Sequence, residues 1–273
     1  MKYKDLKGYL IAIDLDGTLV QNFDDIDKET FETLKQVAKQ NYVVIATGRP
    51  FRSSKYFYDL LELNTPIINY NGALLHNPKD SNFPKKMITI DKSKLLKFID
   101  CNKDILDNLF CEIEDDIYLY KDEKGIEPYL HLNGGDLHTG DFETILPSDP
   151  NGAILFVKLN CEKQLEDYVK IEYDNEVKLR YWFTNQSIVC EFYNPLTSKA
   201  NALKIICDYY NIPHHKTIAI GDGHNDIELL EFANISVAMG NSHEELIPHA
   251  NIITDDVKNN GVLKFLNMDI KNE

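Results

Sequence analysis

Over the first eighty residues, unbroken apolar runs alternate with apolar repeats at helical spacing, and this alternation predicts an architecture. Leu10 to Ile13, Tyr42 to Ala46 and Ile67 to Asn69 show no polar alternation, as expected of strands buried on both faces of a parallel sheet. Between the first two runs, Phe31, Leu34 and Val37 repeat at helical spacing behind Asp27, a suitable N-cap. Phe57, Leu60 and Leu61 follow Pro50, which suits the first turn of a helix. Apolar runs return at Thr217 to Ile220 and Ile235 to Ala238, so a single core of alternating strands and helices draws on both ends of the chain.

The middle of the chain has another texture. Short strands are expected at Phe110 to Glu114, Ile117 to Tyr120, Lys178 to Phe183 and Ile188 to Phe192, with Asn185-Gln186 as the hairpin turn between the last two. Helical patterns cover Lys94 to Leu106 and Lys163 to Val169. The expected fold class is therefore α/β: a Rossmann-like parallel-sheet core over residues 1–80 and 194–273, with an α+β domain inserted over residues 81–193. Residues 125–152, rich in Gly, Pro and Asp and carrying His131 and His138, are too long for a plain connection. They read equally well as a substrate-facing loop or as a surface excursion. Tyr118, Tyr120, Tyr129 and Trp182 offer flat surfaces for stacking a ligand, although the core of the insert suits them better.

Composition narrows the partners. Forty-four acidic residues against 29 basic ones leave a formal charge of −15, which repels nucleic acid and anionic membrane surfaces. The five cysteines form no Cys-x-x-Cys pair and read as reduced structural thiols. The apolar run before Asp14 is too short for a secretory signal, and no stretch approaches the roughly 20 apolar residues of a membrane helix. A cytoplasmic protein is expected, with neither nucleic acid nor membrane as partner and with oligomeric state left open.

The candidate chemistry lies at strand ends. Asp14-Leu15-Asp16-Gly17-Thr18 follows the first buried strand, and α/β sheets bind ligands beyond the carboxyl ends of their strands. The same residues also fit an Asx turn closing an ordinary strand. Gly221-Asp222-Gly223-His224-Asn225-Asp226 repeats the arrangement after a later strand. If the two strands are neighbours, Asp14, Asp16 and Asp222 converge, and three carboxylates repel unless a hard cation such as Mg²⁺ sits among them. Thr47-Gly48-Arg49 joins a hydroxyl and a glycine to a helix N-terminus that attracts anions, and it also suits a turn. Lys199 stands in the first helical turn, where the helix dipole disfavours a cation, so it is either a functional group or a solvated charge.

Taken in order, Asp14-Leu15-Asp16-Gly17-Thr18, Thr47-Gly48-Arg49, Ser198-Lys199-Ala200 and Gly221-Asp222-Gly223-His224-Asn225-Asp226 resemble the four motifs of the haloacid dehalogenase-like hydrolase superfamily. Asn69-Tyr70-Asn71-Gly72-Ala73 is similar to the Asn-Gly-Ala segment of its Cof-type phosphatases, which carry a type C2 cap where this chain has its insert. Ala200 departs from the glycine that many relatives have there. The resemblance implies a Mg²⁺-dependent phosphatase acting on small phosphorylated metabolites, sugar phosphates or similar, through an aspartyl-phosphate. It implies Asp14 as nucleophile, Asp16 as general acid and base, and Asp14, Asp222 and the main-chain carbonyl of Asp16 as Mg²⁺ ligands. Thr47, Gly48, Lys199, Asn225 and the backbone of Leu15 correspond to phosphate contacts, Asp226 to a supporting group, and His224 to a variable position. Two other readings are phosphoryl transfer to a second sugar and a silent phospho-ligand binder; retention of all the acids and the lysine argues against the binder.

Overall fold

Leu10, Ile11, Ala12 and Ile13 are all buried, and as a strand they lie between Thr217–Gly221 and Tyr42–Ile45 in the main sheet. The structure is a computed structural model that describes residues 3–21, 25–123, 126–183 and 188–268. Its five-stranded sheet runs in the order Ile252–Ile253, Ile235–Ala238, Thr217–Gly221, Leu10–Ile13, Tyr42–Ile45, and every pair is parallel. The register pairs Ile13 with Ile220 on one side and with Ile45 on the other, so three strands end side by side. The expected α/β class with a parallel-sheet core is observed.

The crossover helix Lys28–Ala38 starts where Asp27 accepts the N–H of Thr30, and it buries Phe31, Leu34 and Val37. Each such side chain contributes about 1.5–3 kcal/mol on full burial. Ile67–Asn69 is a strand as expected, parallel where it meets the main sheet, but it carries an antiparallel partner that was not expected. It joins the parallel set through a parallel Ala46–Ile68 bridge and the Thr47 N–H on the Ile68 carbonyl, then pairs antiparallel with Leu74–His76. The cause is local: Tyr70, Asn71 and Gly72 have φ of 50°, 54° and 104° and reverse the chain.

The chain divides into two compact units. One comprises Met1–Arg49, Ser54–Lys86 and Ser198–Glu273; the other comprises Pro50–Ser53 and Met87–Thr197. The second unit carries a six-stranded sheet in the order Lys178–Phe183, Ile188–Tyr193, Ala153–Val157, Leu106–Ile113, Asp116–Leu119, Leu137–Thr139. All pairs are antiparallel except the last. Side chains alternate across it: Leu109, Cys111, Leu155 and Cys190 share a core with Leu95, Phe98, Leu165 and Val169 of the helices Lys92–Asn102 and Glu162–Tyr173. Phe110, Phe156 and Val189 belong to a separate cluster with Ile126 and Leu130. Two strands of this six-stranded sheet were not anticipated, Ala153–Val157 and Leu137–Thr139, and the first helix of the insert ends at Asn102 rather than running on to Leu106. The expected turn Asn185-Gln186 lies outside the described residues, as does Gly125 at the start of the 125–152 segment.

Tyr118 is buried in the insert's core and stacks on His138, while Tyr120 meets Phe142 edge-on. Tyr129 is exposed with its edge toward Phe156, and the side chain of Trp182 lies outside those described. All five cysteines are free thiols, three of them buried. Among the described residues no helix is long and apolar enough to cross a membrane.

Candidate active site

The site forms where the parallel strands end. The N–H of Asp14 donates to the Ile220 carbonyl at 3.0 Å, one residue past the strand, and so extends the ladder to the carboxylate. The Leu15 carbonyl then accepts the N–H groups of Thr18, Leu19 and Val20, which closes a tight loop. Gly17 is required in this loop: its φ is +81°, and a Cβ there would lie 2.2 Å from Asp222 Oδ2. Thr18 Oγ1 donates to Asp222 Oδ1 at 2.9 Å, joining the first acidic loop to the second.

Lys199 accounts for the charge pattern. Ser198 caps the helix Lys199–Tyr210, accepting the N–H of Asn201, and Lys199 follows at the first helical position. Its ammonium is completely buried and donates to Asp14 Oδ1 at 2.6 Å and Asp226 Oδ1 at 2.7 Å. Burial alone would lower its pKa, but the facing Asp14 and Asp226 carboxylates hold it above the usual lysine range. The two carboxylates explain why the helix tolerates a cation at its N-terminus. Asp226 Oδ2 meanwhile accepts the N–H groups of Asp222 and Gly223, each at 3.1 Å, and so shapes the loop that carries Asp222.

Asp14, Asp222 and Asp226 present oxygens within 4.8 Å of one another. Three carboxylates against one ammonium leave excess negative charge in a partly dry pocket. Burial raises Asp14 well above the usual carboxylate range; Lys199 opposes the rise, and Asp226 and Asp222 add to it. Asp222 is raised to about 7 by burial and by Asp226. A divalent cation bound by oxygens would relieve this repulsion and restore both carboxylates, so the donor set fits one. Asp14 and Asp222 could hold it: Asp226 is tied on one oxygen to the buried Lys199 ammonium and on the other to two loop N–H groups, whereas Asp222 accepts from the Thr18 hydroxyl and, at a longer 3.2 Å, from the Asn241 amide.

The Asp16 side chain stands apart from this group. Arg49 grips it with a two-pronged fork, Nε to Oδ2 at 2.7 Å and the second contact from a guanidinium NH₂ to Oδ1. Arg49 is buried, with Phe57 beneath its guanidinium, whereas 54% of the Asp16 side chain is exposed. Asp16 is thus aimed outward on a fixed support. Thr47 is buried, and its Oγ1 accepts the N–H of Arg49, which sets the turn that delivers the guanidinium. Gly48 is exposed at the tip of that turn, where a Cβ would approach Asn71 Oδ1 to 3.1 Å.

Three contributors were not singled out from the sequence as site residues. Asn71, held at φ 54°, donates its N–H to the Thr47 carbonyl and accepts the Asn225 side-chain amide at 2.9 Å, so it ties two motifs together. The Asn-Gly-Ala resemblance was the available signal. Asn241 donates to the Gly17 carbonyl at 2.8 Å and to Asp222 Oδ2 at 3.2 Å, and no sequence pattern marks it. Arg49 was visible as part of Thr47-Gly48-Arg49, but its carboxylate partner was not. Asp14, Leu15, Asp16, Thr47, Gly48, Asp222, Asn225 and Asp226 fall in one compact unit, just past neighbouring strand ends, and Lys199 of the same unit opens the helix Lys199–Tyr210.

Comparison with known proteins identifies the family. The family model described as haloacid dehalogenase-like hydrolase matches residues 11–266. The 5-amino-6-(5-phospho-D-ribitylamino)uracil phosphatase YitU of Bacillus subtilis is 33% identical over 264 residues, spanning 96% of this chain and 97% of its own. Phosphatase YwpJ of the same organism is 27% identical, over 94% of this chain and 98% of its own. A haloacid dehalogenase-like hydrolase from Bacteroides thetaiotaomicron superimposes with a TM-score of 0.79 at 24% identity, covering 95% of this chain and 98% of that one, which supports the fold. The chain belongs to the haloacid dehalogenase-like hydrolase family, as a phosphatase of the Cof type.

Proposed function

We propose that the chain is a Mg²⁺-dependent phosphatase that hydrolyses small phosphomonoesters, sugar phosphates or similar metabolites, through an aspartyl-phosphate on Asp14. The observation that carries this reading is the buried Lys199 bridging Asp14 and Asp226 beside Asp222, an arrangement that holds a carboxylate for attack with an ammonium beside it for an incoming dianion. An Asp14 oxygen attacks phosphorus, and the bond to the leaving alcohol breaks as the new P–O bond forms. Asp16 gives that alcohol its proton, then takes one from the water that attacks the phosphoaspartate, releasing inorganic phosphate and free Asp14. Both Asp16 oxygens face the Arg49 fork, so this proton traffic requires the fork to release one of them.

Lys199, Thr47, Gly48, Asn225 and the Leu15 backbone are assigned to the phosphate, with Asn71 holding Asn225 in place. Asp14, Asp222 and the main-chain carbonyl of Asp16 would hold Mg²⁺, and Asp226 orients the Asp222 loop. Bound there, the ion neutralises phosphate charge so that an anionic nucleophile can approach. Residues 81–193 are assigned to a C2-type cap domain. The relative named for a ribityl phosphate supports including that ester among the substrates tried.

The test is phosphate release from sugar phosphates, nucleotides, flavin phosphate and the ribitylaminouracil phosphate, with Mg²⁺ or with EDTA. Turnover should require Mg²⁺, and Asp14→Asn should lower it by about 10³-fold or more. Activity that survives either change overturns the mechanism. A phosphorylated acceptor in place of free phosphate would reassign the protein as a transferase.

A further inference from the structure

His224 has no part in the chemistry above, yet it does not stand alone. Its ring lies against that of His243, with centroids 3.8 Å apart and planes tilted by 46°, and its Nδ1 is 3.2 Å from Glu245 Oε2. A nitrogen from each imidazole and an oxygen of Glu245 lie within 4.8 Å of one another. We propose that His224, His243 and Glu245 form a second metal site, for a transition-metal dication of the Zn²⁺ type.

The chemistry separates this site from the acidic one. Two imidazoles and one carboxylate suit Zn²⁺, Ni²⁺ or Cu²⁺, whereas Mg²⁺ takes oxygen ligands and keeps its waters. A simple ion pair needs only one imidazole, and the same unit contains an example in His249 Nδ1 with Glu231 Oε1 at 2.9 Å. A second imidazole packed against the first adds nothing to such a pair. A shared cation, by contrast, draws on a lone pair from each ring. The long contact from the Glu245 N–H to His243 Nδ1, 3.4 Å, is weak and gives way if that nitrogen is needed for coordination.

The backbone also holds the ligands ready. His224 opens the short turn that ends at Asp226, and the N–H of His243 donates to the Asp222 carbonyl at 3.0 Å. The Leu246 N–H in turn donates to the His243 carbonyl at 2.9 Å, so the two loops carrying the ligands are joined before any ion arrives. One third of the His224 side chain and about two thirds of the Glu245 side chain are exposed, at 33% and 69%, which gives an ion an entry path and room for water ligands. The formal charge of −15 enriches dications around the whole surface. An ion bound there clamps the Asp222 loop to the segment that carries His243.

Calorimetric titration of Zn²⁺ into the full chain under saturating Mg²⁺ tests the site, with Co²⁺ absorption as a readout of coordination. One Zn²⁺ per chain is expected, Asp222→Asn should leave it in place, and His249→Ala should have no effect. His243→Ala and Glu245→Gln should each weaken binding by about tenfold or more, with circular dichroism showing that the fold is kept. Binding that is unchanged in His243→Ala, or abolished by excess Mg²⁺, overturns the proposal, since Zn²⁺ would then occupy the acidic group or a scattered surface position. None of these readouts depends on phosphatase turnover, so the site stands or falls separately from the proposed reaction.

Discussion

Lys199 shows how one side chain can set the terms for three others. Its fully buried ammonium touches Asp14 and Asp226, and Asp222 adds a third carboxylate to the same group. A lone buried charge costs several kcal/mol, so removing the lysine leaves carboxylates that repel without compensation. Lys199→Met should destabilise the metal-free protein by about 3–5 kcal/mol in urea unfolding at neutral pH. The deficit should narrow on acidification, because burial already holds Asp14 and Asp222 above the usual carboxylate range and protonation removes the repelling charge. A loss of under about 1 kcal/mol, the scale of an exposed pair, would show that the ammonium is not the compensating charge. Arg49 does for Asp16 what Lys199 does for Asp14, but at the exposed edge, and the contrast in exposure matches the separate jobs proposed for the two acids.

At the scale of elements, the site depends on loops that only particular backbones can close. Gly17 and Gly72 both have positive φ, and a Cβ on Gly72 would fall 2.3 Å from the Ser198 carbonyl, just before the lysine-bearing helix. Gly17→Ala would push a methyl into the Asp222 carboxylate, which Thr18 and Asn241 hold in place. The left-handed backbone adds about 1–2 kcal/mol of strain. Mg²⁺ binding, read as the metal-induced rise in melting temperature, should weaken by about tenfold or more. An unchanged rise would mean that Asp222 is not a ligand. The element expectations failed in instructive places. Ala153–Val157 is a short apolar run directly after a Gly- and Pro-rich stretch, and periodicity alone does not mark such a run as the strand between Ile188–Tyr193 and Leu106–Ile113. Leu137–Thr139 is exposed along its length and exists as a strand through its pairing with Asp116–Leu119.

For the whole molecule, the two units have separate hydrophobic interiors. The insert's interior is centred on Phe98, which is fully buried and lies 4.6 Å from Phe192 between ring centroids. Phe98→Ala should cost about 3–5 kcal/mol. Hydrogen exchange should show the loss confined to Met87–Thr197, while amides of Leu10–Ile13 and Thr217–Gly221 keep their protection. Deprotection of the parallel sheet would show that the two interiors unfold as one.

Several features were legible in the residue order alone. Uninterrupted apolar runs specify parallel strands because both faces are covered, and the runs at Leu10 to Ile13 and Thr217 to Ile220 carry that signal without reference to anything distant. The acids and the lysine were identifiable because a carboxylate at a buried strand end, or a cation at a helix N-terminus, is costly unless something meets it. What met them was not identifiable. The fork of Arg49 on Asp16, the two-way bond of Lys199, the bridge from Asn71 to Asn225, the hold of Asn241 on Asp222 and the pairing of His224 with His243 all join residues that the chain keeps apart. Such contacts depend on which strands become neighbours and at what register, a choice made by the packing of the whole sheet. The local pattern determined which residues needed partners, and the tertiary structure decided which partners they received.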